Sequence, residues 1–268
     1  MNKPAPQPPI LPSRQDGVLT VTLNRPESRN ALSESLMRAL QLTLDEAVED
    51  KSVRVIVLAA KGPAFCAGHD LKELTARRTD ADGGRAFFTT VWRLCSTMMQ
   101  AVVRLPQPVI ASVQGAAFAA GCQLVAACDL AVASTAASFA TPGVNIGLFC
   151  SSPMVALSRN VACKHAMEML LTGDAIAAEE ALRIGLVNRV VPPGEERDEA
   201  IRLARHIASK SAAAIRIGKA AFYAQLEMSL AKAYDYTSQV MIENMLNADA
   251  EEGISAFIAK RKPNWSDQ

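Results

Sequence analysis

Charge of one sign is what this chain most clearly lacks: 28 Lys and Arg stand against 27 Asp and Glu, a formal net charge of +1. A balance that even builds no field to draw nucleic acid or an anionic membrane, and neither is expected as a partner. Aromatic residues are only 5% of the chain, and none interleave with a basic tract. No apolar run reaches the roughly 18 residues that a membrane span needs, because Gln114, Gln123 and Asp129 interrupt the longest one. Three histidines and six scattered cysteines show no metal-ligand spacing, so no metal is expected.

The cysteines (Cys66, Cys95, Cys122, Cys128, Cys150, Cys163) form no C-x-x-C pair, and all but Cys150 have mostly small or apolar neighbours. Buried free thiols follow, and with them a reducing compartment. The proline-rich opening MNKPAPQPPILP has neither an apolar h-region nor an arginine-rich amphipathic pattern. The expectation is a soluble, cytoplasmic protein.

What is present is a regular change of pattern along 268 residues, half of them hydrophobic, enough for one large core. VLTVTLN (18–24) alternates apolar and polar residues with β-branched enrichment and predicts a strand. The helix predicted over 33–50 has Leu36, Leu40, Leu44 and Val48 at i+4 steps and Ser33 as its N-cap. VRVIVLAA (53–60) is a continuous apolar run, the mark of a strand covered on both faces. A helix over 84–104, a strand over 108–113, a helix from about 120 and strands at 129–134 and 185–191 continue the series. Strand alternating with helix implies an α/β fold with parallel pairing, and no Gly-rich phosphate fingerprint follows any of the strands. Beyond residue 195 the pattern is helical only, at 196–209, 212–227, 229–246 and 249–260. Three parts are expected: a loose arm at 1–13, a core at 14–194 and a helical region at 195–268.

Two side-chain-poor stretches carry the candidate chemistry. In GPAFCAGHDLKEL (62–74), Asp70 and Glu73 have capping-box spacing, and Cys66-Ala67-Gly68 leaves backbone open to a ligand atom. In GAAFAAGCQLVAACDL (115–130), Ala120-Gly121 opens a helix whose first N–H groups lack internal partners. Two amides aimed at one point make an oxyanion hole. The same small residues also let a helix and a strand pack closely, and the residues alone leave both readings open.

LNRPESRNAL (23–32), AFCAGHDLKEL (64–74), VQGAAFAAGCQL (113–124), CDLAVAS (128–134) and FATPGVNIGL (139–148) resemble, in order and spacing, the enoyl-CoA hydratase/isomerase (crotonase) superfamily. TPGVNIGLFCSSP and KRKPNW bring the chain near enoyl-CoA hydratase domain-containing proteins of type three. The resemblance implies a crotonase-like spiral of ββα units with a C-terminal helical trimerisation region. It implies an acyl-CoA substrate, with coenzyme A as part of it and no permanently bound cofactor, and a homotrimer or dimer of trimers. By similarity, the N–H groups of Ala67 and Ala120 grip the thioester carbonyl oxygen and stabilise an enolate. Arg29 and Ala31 fall near the CoA, Ala67, Gly68, His69 and Asp70 along the pantetheine and thioester, and Phe257 and Lys260 where a neighbouring subunit's terminal helix reaches CoA.

The resemblance also locates a departure. The family's two catalytic glutamates fall at Gln123 and Gly143. An amide can hold a water but cannot take its proton, and glycine offers nothing. The activity implied is that of an enoyl-CoA hydratase/isomerase in fatty-acid metabolism, with hydration itself in doubt. The alternatives are a methylmalonyl-CoA-decarboxylase-like enzyme using His69, and a non-catalytic acyl-CoA binding protein. Cys150 and Ser151 invite a nucleophile reading, His165 is expected on a helix surface, and 75–90 is expected to wall the acyl pocket.

Overall fold

The structure is a computed structural model that describes residues 7–266. Residues 1–6 of the expected arm, and 267–268, lie outside it. A hairpin of β1 (Ile10–Gln15) and β2 (Val18–Leu23) comes first. It turns at Asp16-Gly17, whose φ values of 53° and 75° are what a two-residue hairpin loop demands. β1 claims residues 10–13 from the segment expected to be loose, with Ile10 buried opposite Leu23. As the edge strand of its sheet β1 tolerates Pro12, which a central strand would not.

The chain continues through α1 (Glu34–Glu49), β3 (Val55–Ala60), β4 (Ala64–Cys66), α2 (Leu71–Ala76), α3 (Arg85–Arg104), β5 (Val109–Val113), β6 (Ala116–Phe118) and α4 (Ala120–Ala127). Then come β7 (Leu130–Ser134), β8 (Ser138–Ala140), α5 (Pro153–Leu157), α6 (Cys163–Thr172), β9 (Ile176–Ala177), α7 (Ala178–Arg183) and β10 (Arg189–Val191). Four helices finish it: α8 (Glu196–Ala208), α9 (Ala212–Gln225), α10 (Leu230–Met245) and α11 (Ala248–Ile258). The long strands make a six-stranded sheet in the order β1-β2-β3-β5-β7-β10, and the short ones a four-stranded sheet in the order β4-β6-β8-β9. From β3 to β8 each turn of the chain sends a long strand to one sheet, a short strand to the other, and returns by helix. This is the expected spiral of ββα units.

On α1, Ser33 caps the helix by accepting the Leu36 N–H, and Leu36, Met37, Leu40, Leu44 and Ala47 are buried. Val48 is 44% exposed instead. Three i+4 steps on a 3.6-residue turn rotate it about 120° from Leu36, and Ala47 takes its place. After the boundary expected at 194–195 the first helix packs back on the core. Ala200 and Ala204 of α8 are buried with Val18, Val55, Val57, Ile110 and Val132, so α8 covers the second face of the large sheet. Continuous apolar strands need both faces covered, and α8 is that cover.

The next helix is pinned by a buried ionic cluster. Asp129, entering β7, accepts from Val109 N–H at 2.7 Å, Lys219 Nζ at 2.7 Å and Tyr223 OH at 2.9 Å, and Lys219 also donates to the Gln107 carbonyl at 3.0 Å. α9 is thereby fastened to the α3–β5 junction and to β7. α10 buries no residue, and Leu230 on it, Leu246 just after it, and Phe257 and Ile258 on α11 stand open.

Candidate active site

Parallel pairing of β4 with β6 and of β6 with β8 brings three strand ends side by side. The chain leaves them through Ala67-Gly68-His69-Asp70, through Ala119-Ala120 and through Thr141-Pro142-Gly143, so the two candidate stretches meet at one corner.

Ala119 has φ 50° and ψ −117°, a conformation that strains a residue with a Cβ. Hydrogen bonds hold it there: its N–H donates to the Ala140 carbonyl at 2.8 Å and its carbonyl accepts from Gln123 N–H at 3.0 Å. Ala120 is the first residue of α4, so its N–H has no helical partner, and among the described residues it finds none elsewhere. A Cβ on Gly68 would stand 2.9 Å from Ala119 Cβ and 3.5 Å from Ala120 N, which places the 67–70 loop directly against this amide. A Cβ on Gly121 would stand 2.0 Å from the Cys66 carbonyl oxygen. Close packing therefore explains Gly121, while Ala120 presents a free donor.

Ala67 differs from expectation. Its N–H donates to the Arg29 carbonyl at 3.1 Å. The cause is a short strand-like stitch between this loop and 29–33, in which Leu32 N–H donates to Gly68 O at 2.7 Å and Asp70 N–H to Leu32 O at 3.2 Å. Asp70 caps α2 through Glu73 N–H at 3.4 Å, but the capping box is not closed. The Glu73 carboxylate instead accepts Glu34 N–H at 2.9 Å, tying α2 to the start of α1.

A cleft of about 810 Å³ opens beside the loop, lined among others by Arg25, Arg29, Ala31, Ser33, Asp70 and Lys72. Arg25 pairs with Asp70 at 3.3 Å and donates to the Ala31 carbonyl at 3.0 Å, which fixes one wall. Arg29 is exposed at the mouth in a left-handed conformation. Phe257, 84% exposed at the end of α11, and Lys260 beyond it do not line this cleft.

His69 faces α3, its ring stacked on Trp92 at 5.1 Å with 25° between planes. Burial holds its pKa below the ordinary histidine value, so it is neutral at pH 7, and its Nδ1 is buried without a partner. Gln123 is 5% exposed, its Oε1 also unpartnered, and the buried Thr141 hydroxyl is in the same state. At Gly143 a Cβ would meet the Leu148 carbonyl at 2.8 Å and Cys150 Sγ at 2.9 Å. The thiol fills the ground a longer side chain at 143 would need. Cys150 is itself buried, and Cys163 is the exposed cysteine. Burial raises the Cys150 pKa against the opposing pull of the Gly143 N–H, which keeps the thiol protonated and a poor nucleophile. Ser151 is exposed and spends its hydroxyl on the Phe149 carbonyl, and His165 is half-buried rather than on the surface.

Three residues of this corner escaped the sequence reading. Arg25 was hidden as an ordinary arginine before proline, Thr141 by its neighbour Pro142, and Trp92 by a helix read only for its apolar stripe. The i, i+4 spacing of Phe88 and Trp92 was the available signal for the last.

The enoyl-CoA hydratase/isomerase family matches residues 13–268. A Rattus norvegicus protein, enoyl-CoA hydratase domain-containing protein 3, mitochondrial, is 48% identical over 98% of this chain and 86% of its own. The protein of the same name from Homo sapiens is 49% identical over 96% of this chain and 84% of its own. The crystal structure of an enoyl-CoA hydratase from Mycobacterium smegmatis superposes with a TM-score of 0.92 at 50% identity, covering 97% of this chain and 99% of that one. The likeness to type-three proteins thus stands. The cytoplasmic expectation does not: the rat and human relatives are named as mitochondrial, and free thiols report a redox environment without saying which compartment supplies it. Fold, motif order and overall similarity agree: the chain belongs to the enoyl-CoA hydratase/isomerase family.

Proposed function

We propose that this protein binds acyl-CoA thioesters and stabilises the enolate form of the acyl group, in the manner of an enoyl-CoA hydratase/isomerase of fatty-acid metabolism. The observation that carries this reading is the strained Ala119 turn, which presents the unpartnered Ala120 N–H against Gly68. A residue is held in such strain where the surrounding structure needs what it presents. The thioester oxygen accepts from Ala120 N–H. Ala67 becomes the second donor by turning its N–H away from, or sharing it with, the Arg29 carbonyl. Arg25, Arg29 and Lys72 supply positive charge for CoA phosphates along the cleft, with Ala31, Gly68 and Asp70 beside the pantetheine.

Hydration by a pair of glutamates is not this protein's route. General acid–base groups are each worth about 10²–10⁴-fold, and the two positions hold Gln123 and Gly143. A reaction that needs the oxyanion hole and one proton carrier fits better, either double-bond isomerisation or loss of carbon dioxide, with His69 as that carrier. The buried, unpartnered Nδ1 and the neutral ring favour His69 for it. A second reading, a binding protein without turnover, is favoured by the Cys150 thiol occupying the ground beside Gly143. The open apolar faces of α10 and α11 suit a homotrimer, or a dimer of trimers, in which Phe257 and Lys260 approach a neighbour's CoA.

The test is incubation of the purified protein with crotonyl-, longer 2- and 3-enoyl- and methylmalonyl-CoA, read by mass spectrometry and by product chromatography. Rearranged enoyl-CoA or lost carbon dioxide, abolished in His69→Ala, supports the enzyme. Unchanged thioesters with measurable affinity select the binding protein. No affinity for any acyl-CoA removes the whole reading.

A further inference from the structure

The 67–70 loop has two faces. The cleft is lined by Ala31, Ser33 and Asp70 but not by their neighbours Leu32 and His69, which pair with each other as a parallel bridge. Successive side chains of extended backbone point to opposite sides, so Leu32 and His69 look away from the cleft. On their side stands α3. Trp92 stacks on His69 at 5.1 Å, and Phe88 meets Trp92 edge-on at 6.2 Å with 83° between planes. Phe87 continues the series at 6.5 Å from Phe88, and the Arg77 guanidinium lies 4.9 Å above its ring. In a chain with only 5% aromatic residues, three of them stand in series with the His69 imidazole beside the oxyanion-hole loop and form a concentrated wall. Trp92 remains 39% exposed, with His69 stacked on it and Phe88 at its edge.

We propose that Trp92, backed by Phe88, is the specificity-determining residue for the acyl group and favours flat, conjugated or aryl acyl thioesters over saturated ones. The inference rests on the acyl-CoA reading above. With CoA in the cleft beside Arg29 and the carbonyl oxygen at Ala120 N–H, the acyl group continues past the loop to the side His69 and Trp92 occupy. A saturated chain gains only apolar burial there. A planar π system also gains ring-face contact, which corresponds to about a 2- to 12-fold difference in affinity.

The experiment is calorimetric titration of the wild type, Trp92→Phe and Trp92→Leu with CoA, butyryl-CoA, crotonyl-CoA, 3-cyclohexylpropionyl-CoA and cinnamoyl-CoA. Mass spectrometry confirms that each ligand is intact afterwards. In the wild type, crotonyl- and cinnamoyl-CoA are expected to bind about 2- to 12-fold tighter than their saturated partners. Trp92→Phe keeps most of that ratio, Trp92→Leu brings it to one, and neither changes the affinity for CoA itself. Phe in place of Trp retains a ring on the same helix, which guards against a loss caused by misfolding. Equal ratios in wild type and Trp92→Leu, or no preference in the wild type, overturn the role of Trp92 while leaving acyl-CoA binding intact. Acyl-CoAs that bind no better than CoA overturn the acyl-CoA reading and this inference with it.

Discussion

Replacing Ala120 by proline deletes the hydrogen-bond donor assigned to the thioester oxygen. Ala120 is the first residue of α4, where proline is well tolerated because that N–H has no helical partner and the fixed φ suits a helix start. Ala119 before it, at φ 50° and ψ −117°, lies outside the extended region that proline favours in its predecessor, so circular dichroism must first show that the variant folds. The donor facing Gly68 disappears, and the ring's Cδ takes its place. Removing one donor of an oxyanion hole costs about 2.7–4 kcal/mol. A 3-oxoacyl-CoA reads that quantity directly, because it ionises to a stable, strongly absorbing enolate. At 1.36 kcal/mol per unit, the pKa of the bound probe should rise by about two to three units in Ala120→Pro. The assay is an absorbance titration of acetoacetyl-CoA with wild type, Ala120→Pro and Ala120→Gly, the last keeping the N–H. An enolate that ionises within half a unit of wild type on folded Ala120→Pro would refute the assignment of this amide.

Lys219→Met leaves Asp129 buried without its cation, for an expected loss of about 3–5 kcal/mol, read as a lowered melting temperature at fixed protein concentration. Burial lowers the Lys219 pKa in the folded state despite the pull of Asp129. Between that lowered value and the ordinary lysine value the unfolded chain binds more protons, so wild-type stability relative to Lys219→Met rises with pH through that window; a falling difference in chemical denaturation would contradict it. Gln123→Glu/Gly143→Glu should gain no hydratase activity, since a Cβ at 143 stands 2.9 Å from Cys150 Sγ. Adding Cys150→Ala should not restore it either, because the Leu148 backbone carbonyl still stands 2.8 Å from that Cβ; a rise in crotonyl-CoA hydration, measured by loss of enoyl absorbance, would contradict this. Light scattering should give three or six times 28.6 kDa, and Leu246→Glu/Phe257→Glu should shift it toward the monomer; a monomeric wild type would sink the assembly.

Helices with a clean apolar stripe or a cap, such as α1 behind Ser33 and the four after residue 195, were legible from sequence almost to the residue. So were β2, β3, β5 and β7, but not the edge strand β1, whose first residues were expected in a loose arm. The three-residue strands β4, β6 and β8 were not, because a run that short has no period to read, and yet they alone assemble the corner. The site was legible where motif and backbone coincide, at Ala120 and Gly68. It failed where neighbours compete for the same group: the Arg29 carbonyl takes the Ala67 N–H, and the α1 terminus takes Glu73 from Asp70. That Cys150 fills the room beside Gly143 is a fact of packing between a turn and a loop, and no spacing along the chain encodes it.

The cover that α8 gives the large sheet also sets a clock on the ribosome. The face made by Val18, Val55, Val57, Ile110 and Val132 cannot close until Ala200 and Ala204 have emerged. At about 5–20 residues per second, the stretch from Val132 to Ala204 leaves the nascent face bare for about 4–14 s. A chain that finishes its core this late needs a holding chaperone more than one whose first half folds alone.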